Sequence, residues 1–252
     1  MRLIDPRSHV SRRGLITGGA ALAAYAALPS GIGHNGGLSL DAEADNSRLL
    51  AHHPKPPAAG ATTTWDSSKM TSGQGCNLTN GSLTFNTASG TANMVLSTNS
   101  HASGKYVFEV TDNASTVNAG CGIAIAAQNV NNSEYVGNSV NSWGWNKGDS
   151  HIYNNSGTLG GITATWPTLG TAMMLAFDFT AHLMWVLDAS GNWNGAAIGS
   201  QNPATGTGGV SFTAGTYFAC SYLNSSSAAT STINCGQTAF TNTTPSGFSA
   251  WG

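Results

Sequence analysis

The chain predicts an all-β fold: a two-sheet antiparallel β-sandwich carried on an extended or helical N-terminal arm. Three observations carry that expectation. From Ala61 onward no stretch keeps a helical period, and short runs of alternating apolar and polar residues are separated by turn clusters. Only 8% of the residues are charged, against about 25% in an average soluble domain, and Gly, Asn, Ser and Thr supply the polarity instead. Charge is also uneven. Arg2, Arg7, Arg12, Arg13, Arg48 and Lys55 stand before residue 60, whereas Lys69, Lys105 and Lys147 are the only cations after it. The boundary falls near Pro54-Lys55-Pro56-Pro57, giving an arm over 1–61 and a sandwich over 62–252.

In the arm, Ser11-Arg12-Arg13-Gly14-Leu15-Ile16 leads into an apolar run ending at Leu28. That run is too short to span a bilayer. It fits the apolar region of a twin-arginine export signal, with cleavage after Ala26 or Ala44, and equally a helix that docks on a partner. Both readings stay open. Gly31 to Gly60 reads as an extended linker.

In the sandwich, Asn80-Gly81 marks a hairpin, since both residues tolerate positive φ. Lys105 to Val110 places Tyr106, Phe108 and Val110 on one strand face. Leu175–Phe179 and Leu183–Leu187 form a second hairpin turning at Thr180-Ala181, with Trp185 in the core. Phe218–Tyr222 and Thr232–Cys235 are expected to form a last hairpin across a Ser-rich loop, which would set Cys220 opposite Cys235. A cross-strand disulfide is one reading of that pair. Two buried free thiols is the other, favoured by the core-type face that both occupy.

Five blocks, taken in order, resemble the SPRY domain family. Ser103-Gly104-Lys105-Tyr106-Val107-Phe108-Glu109-Val110 is similar to its "Ser-Gly-Lys-Trp-Tyr-Phe-Glu-Val" strand. Tyr135-Val136-Gly137 through Ser142-Trp143-Gly144-Trp145 to Tyr153 follows its "Leu-Gly … Ser-Trp-Gly-Tyr" segment. Leu175 to Gly195 resembles its central strand pair, and Asn202 to Gly209 resembles a loop of bacterial and phage versions. Asn234-Cys235-Gly236-Gln237 through Pro245-Ser246-Gly247-Phe248 is similar to its closing strand and tail, with Cys235 where the family has Phe. The resemblance implies a concanavalin A-like jelly-roll sandwich that binds through loops and performs no chemistry.

Composition and motifs agree on function classes. With three scattered lysines after residue 60, the sandwich has no basic track for a phosphate backbone, so no nucleic acid is expected. Cys76, Cys121, Cys220 and Cys235 show no zinc spacing, and neither metal nor cofactor is expected. No Gly-x-Ser-x-Gly elbow occurs, and after the linker there is no close acidic pair of the type that cleaves glycosides on related sandwiches. A triad from His101, His151 or His182 with Asp149 or Asp178 is disfavoured, and Glu109 is expected at an outward or rim position. Ligand contacts are expected from Trp143, Trp145, His151, Tyr153, Asn192, Trp193 and Asn194, at loops Asn146–His151 and Asn192–Gly195. One tryptophan of the Trp143/Trp145 pair is expected in the core. The leading functional expectation is a phage virion surface protein, a decoration, fibre or tail-associated protein. Its arm would hold capsid or tail proteins while its sandwich faces the host. The alternatives are an exported envelope protein that binds glycan or protein, meeting a membrane only in transit, and a secreted carbohydrate-active enzyme. A homo-oligomer is compatible with each.

Overall fold

The computed structural model describes residues 62–252 except 74, 89, 114–117, 132–133, 197–199 and 226; the arm and linker expectations lie outside these residues. Among the described residues, fifteen strands form two sheets. The first contains β1 (Trp65–Met70), β4 (Gly90–His101), β6 (Asn118–Ile125), β7 (Ser142–Asn146), β8 (His151–Asn154), β9 (Gly157–Thr163) and β13 (Tyr217–Ser225). Their spatial order is β1-β4-β13-β6-β7-β8-β9. The second contains β2 (Asn77–Thr79), β3 (Thr84–Thr87), β5 (Lys105–Asp112), β10 (Ala172–Asp178), β11 (Leu183–Val186), β12 (Val210–Ser211) and β14 (Ala229–Asn234). Here the order is β12-β11-β10-β5-β14-β3-β2, and β15 (Ser249–Ala250) adds a short parallel pair to β5.

Period-two alternation decides what each strand buries. Phe108 and Val110 of β5, Leu175 and Phe177 of β10, and Cys121 and Ile123 of β6 meet between the sheets. Trp143 and Trp145 do the same. They stand two residues apart on one strand, so they share a face, and both enter the core rather than one. The two early hairpins form as the sequence predicts. Asn80 and Gly81 turn β2 into β3 with φ of 52° and 63°. The β10–β11 turn is fixed by Asp178, whose Oδ1 accepts from Thr180 N and Ala181 N at 3.0 and 2.9 Å.

The expected last hairpin does not form. β13 lies between β4 and β6 in the first sheet, whereas β14 lies between β5 and β3 in the second. The Ser-rich connection therefore crosses from sheet to sheet, and Ser221 and Ser231 meet across the gap through their hydroxyls at 2.8 Å. Cys220 faces outward beside Met94, Leu96 and Tyr222, and Cys235 faces the inter-sheet core. Both are free thiols, so the Cys220–Cys235 disulfide is ruled out by topology.

Each sheet also carries apolar residues on its outer face, and each set is covered. Val136 lies on the outer face of the first sheet, close enough to β7 that a Cβ on Gly144 would come within 2.1 Å of its side chain. On the second sheet, Val107, Met174, Ala176 and Trp185 lie beneath Phe248 and Phe240 of the C-terminal segment. Glu109 holds that segment. It is only 2% exposed, and its carboxylate accepts from Thr241 N at 3.0 Å, Asn242 N at 2.8 Å and Asn242 Nδ2 at 2.9 Å. The rim position expected for Glu109 is thus a roofed one, because the closing tail folds back over the outer face of β5.

His101 belongs to the same closure. Its ring stacks on Tyr106 at 3.6 Å, meets Trp251 edge-on at 4.8 Å, and places Nε2 2.8 Å from the Trp251 carbonyl oxygen. Burial pulls its pKa below the ordinary value of about 6.5, outweighing the carbonyl hydrogen bond, which acts the other way. A histidine whose folded pKa is depressed favours folding above its unfolded pKa and loses that contribution as pH falls through the folded value. Melting temperature is therefore expected to fall between pH 7.5 and 5, and His101→Gln, which keeps a donor, should flatten that part of the profile. Asp66 and Asp178 have depressed pKa values and lose their contribution only at more acidic pH. An unchanged melting temperature across the window would contradict this role.

Candidate functional site

Alternation that buries one face of the first sheet presents the other. Ala119, Cys121 and Ile123 point inward, so Asn118 and Gly120 face out. The register sets Asn118 opposite Asn224, Gly120 opposite both Tyr222 and Asn146, and Gly144 opposite Tyr153. Neighbouring outward positions on four adjacent strands thus bring Asn224, Tyr222, Asn118, Asn146 and Tyr153 together. Glycine at 120 is required, because a Cβ there would come within 2.4 Å of the Tyr222 ring. Tyr135, Gly148 and Asp149 from flanking loops complete a cleft of about 370 Å³.

Its walls are aromatic and its floor is amide-rich. Tyr135 meets Tyr153 edge-on at 5.7 Å and lies tilted to Tyr222 at 6.2 Å. Tyr222, 2% exposed, donates its hydroxyl to Asn146 Oδ1 at 3.0 Å, and Gly148 N donates to the same oxygen at 3.1 Å. Tyr153 donates its hydroxyl to Asp149 Oδ2, while Asp149 Oδ1 accepts from His151 N at 3.3 Å. The bond to Asp149, more than desolvation, pushes the Tyr153 phenol up to about 12, and burial raises that of Tyr222. Both phenols stay protonated at neutral pH and act as hydrogen-bonding groups. Lys147, in the same turn, is directed to Asp112 at 3.2 Å.

The structure divides the residues expected as ligand contacts. Tyr153 lines the cleft, and His151 adjoins it, with Nδ1 2.7 Å from the Asp149 carbonyl oxygen. Trp143 and Trp145 are core residues, and Trp145 Nε1 donates to Ala164 O at 3.0 Å. The Asn192–Gly195 loop serves the other sheet. Trp193 packs against the outer face of the second sheet with Leu187 and Trp185. Asn194, 3% exposed, accepts from Val186 N at 2.9 Å and donates to Gly208 O at 3.2 Å, tying the loop after β11 to the segment before β12. Trp193 and the Asn146–His151 turn therefore do not converge on one site. Asn118, Tyr222 and Asn224 escape a motif search, since their signal is strand parity and needs a register to be read.

Among the described residues considered for a histidine triad, His151 and Asp149 lie together, with Nδ1 3.8 Å from Oδ1. His101 is engaged with Trp251, His182 packs on Phe212 at 5.8 Å, and Asp178 is bound by Lys105 at 3.0 Å. A second groove of about 430 Å³ lies between β9 and the segment leading into β12, lined by Leu159, Ile162, Gly209 and Val210.

No family model matches the sequence, and no curated protein matches it. Solved structures do. The SPRY domain of human HERC1 is similar with a TM-score of 0.51 and 17% identity, over 69% of this chain and 99% of that one. The PSpry domain of TRIM65 (TM-score 0.46, 11% identity) covers 69% of this chain and 92% of its own. Stonustoxin (TM-score 0.45, 14% identity) covers 69% of this chain and 27% of its own. The sandwich has the SPRY-like fold that the sequence blocks imply.

Proposed function

We propose that this chain is a non-enzymatic recognition module whose SPRY-like sandwich binds through the tyrosine–asparagine cleft on the outer face of the first sheet. The observation that carries the reading is the convergence of three tyrosines, three asparagines and Asp149 on one concavity. Concave sites with a few converging polar groups are where small ligands bind. Tyr153 and Tyr222 hold their protons firmly and are hydrogen-bonded, which suits binding more than proton transfer. SPRY domains generally mediate protein–protein interactions, which agrees with a binding role rather than with chemistry.

For its setting we propose the surface of a phage particle, with residues 1–60 as the anchor on capsid or tail proteins and 62–252 directed toward the host. The low charge and the Asn202–Gly209 loop, which resembles one of bacterial and phage versions of the domain, support this placement. The run Arg12-Arg13-Gly14-Leu15 favours a second reading, export to the bacterial envelope by the twin-arginine route. Protein recovered from particles with Met1 intact would support the anchor, and loss of the first 26–44 residues from cell-associated protein would support export. The cleft itself is tested by binding of labelled full-length chain to bacterial cells. Asn118→Ala and Asn224→Ala are expected to weaken binding while leaving the melting temperature unchanged. Undiminished binding by both variants would retire the cleft.

A further inference from the structure

We infer that the ligand of this cleft is a saccharide without acidic groups, held at a mono- or disaccharide unit. The inference rests on the cleft being the recognition site and adds the chemistry of what it recognises. Three features of the lining select this class.

The first is amide geometry. A carboxamide offers two donors and an acceptor with two lone pairs, so it can give one hydrogen bond and take another from adjacent hydroxyls. Asn118 and Asn224 stand side by side as a cross-strand pair, and among the described residues neither side chain has a hydrogen-bond partner. The oxygen of Asn146 is occupied by Tyr222 and Gly148, which fixes the amide and leaves its NH₂ as a donor. Three amides around one cleft suit a ring bearing several hydroxyls.

The second feature is the tyrosine wall. Tyr135 and Tyr153 border the cleft, and neither is fully buried. An aromatic ring can cover the C–H face of a sugar while the hydroxyls at its edge reach polar groups. Tyr153 is braced for this by its hydroxyl bond to Asp149. The volume of about 370 Å³ lies toward the lower end of the range for small-molecule pockets.

The third is charge. The lining holds one carboxylate, Asp149, and no cation, and the adjoining Lys147 is committed to Asp112. Each Asp149 oxygen takes one bond from the protein and keeps capacity for a hydroxyl donor. A sialylated, uronic or sulfated sugar would bring a second negative charge against Asp149 with no compensating partner, so acidic glycans are selected against.

The test is calorimetric titration of full-length chain with lactose, maltotriose, chitotriose and a mannotriose, with sialyllactose and a heparin trisaccharide as acidic counterparts. At least one neutral sugar is expected to bind, and Asn118→Ala and Asn224→Ala should each weaken it about tenfold, the loss expected for a buried polar contact. Tighter binding of the acidic sugars would overturn the inference. Cells treated with periodate, which cleaves vicinal diols, should lose binding, whereas protease-treated cells should keep it. The reverse pattern would identify a protein ligand and overturn the saccharide. If no sugar binds but both Asn variants still lose cell binding, the saccharide fails and the cleft stands. If neither variant changes cell binding, the cleft reading fails as well.

Discussion

Trp251→Ala is expected to lower the unfolding free energy by about 3–5 kcal/mol, the usual cost of emptying a buried aromatic site. Trp251 is 1% exposed and meets Phe108 at 5.2 Å, Phe179 at 5.6 Å and Phe177 at 5.9 Å, all edge-on. Its backbone N donates to Val107 O at 2.9 Å, and Nε1 donates to Asn99 O at 3.3 Å. One side chain thus joins β5 and β10 to β4 across the gap between sheets. Deleting everything after Asn234 should be worse, because Phe240, Phe248 and the partners of Glu109 go with it and Trp185 is left in water. Chemical denaturation of Trp251→Ala and solubility of the truncated chain check both expectations. A loss below about 1 kcal/mol, or a soluble truncated protein with a cooperative transition, would show that the tail is an ornament of the fold.

Trp145→Ala is expected to cost a similar amount, about 3–5 kcal/mol, and to impair binding only as far as it unfolds the protein. The ring is fully buried, packs on Trp166 at 4.6 Å and, once removed, leaves the Ala164 carbonyl without its indole donor. Trp193→Ala provides the contrast. That ring is partly buried on the far sheet, so about 1–2 kcal/mol and unchanged binding are expected. Denaturation curves read beside cell binding separate the cases. A Trp145→Ala protein of normal stability that no longer binds would return this tryptophan to the ligand site.

The sandwich was legible because alternation, turn chemistry and strand spacing are local properties. Asn80-Gly81 and Thr180-Ala181 turn where their residue types allow, and Phe108 is buried where the period puts it. Trp185, expected in the core, lies instead on the outer face of the second sheet and is buried by the C-terminal segment. Long-range pairing was not legible. The segments bearing Cys220 and Cys235 have the spacing of a hairpin, yet they enter different sheets, since local pattern does not say which neighbour a strand takes. The cleft was illegible for the same reason. Trp143 and Trp193 attract attention as aromatic residues near loops, but the outward face that carries the proposed cleft is assembled by register. Asn118, Tyr222 and Asn224 become neighbours only when β6 and β13 pair. Glu109 shows the converse: alternation places it outward correctly, and the tail then roofs it.

The most direct test of the cleft as the proposed recognition site is hydrogen–deuterium exchange of the full-length chain, free and in the presence of bacterial cells. Binding at the cleft predicts new protection in two loop segments that frame it, 135–137 and 146–150, with little change around Asn192–Gly195. Protection confined to the Asn192–Gly195 loop, or to the groove between Leu159 and Val210, with the 146–150 turn unaltered, would contradict it.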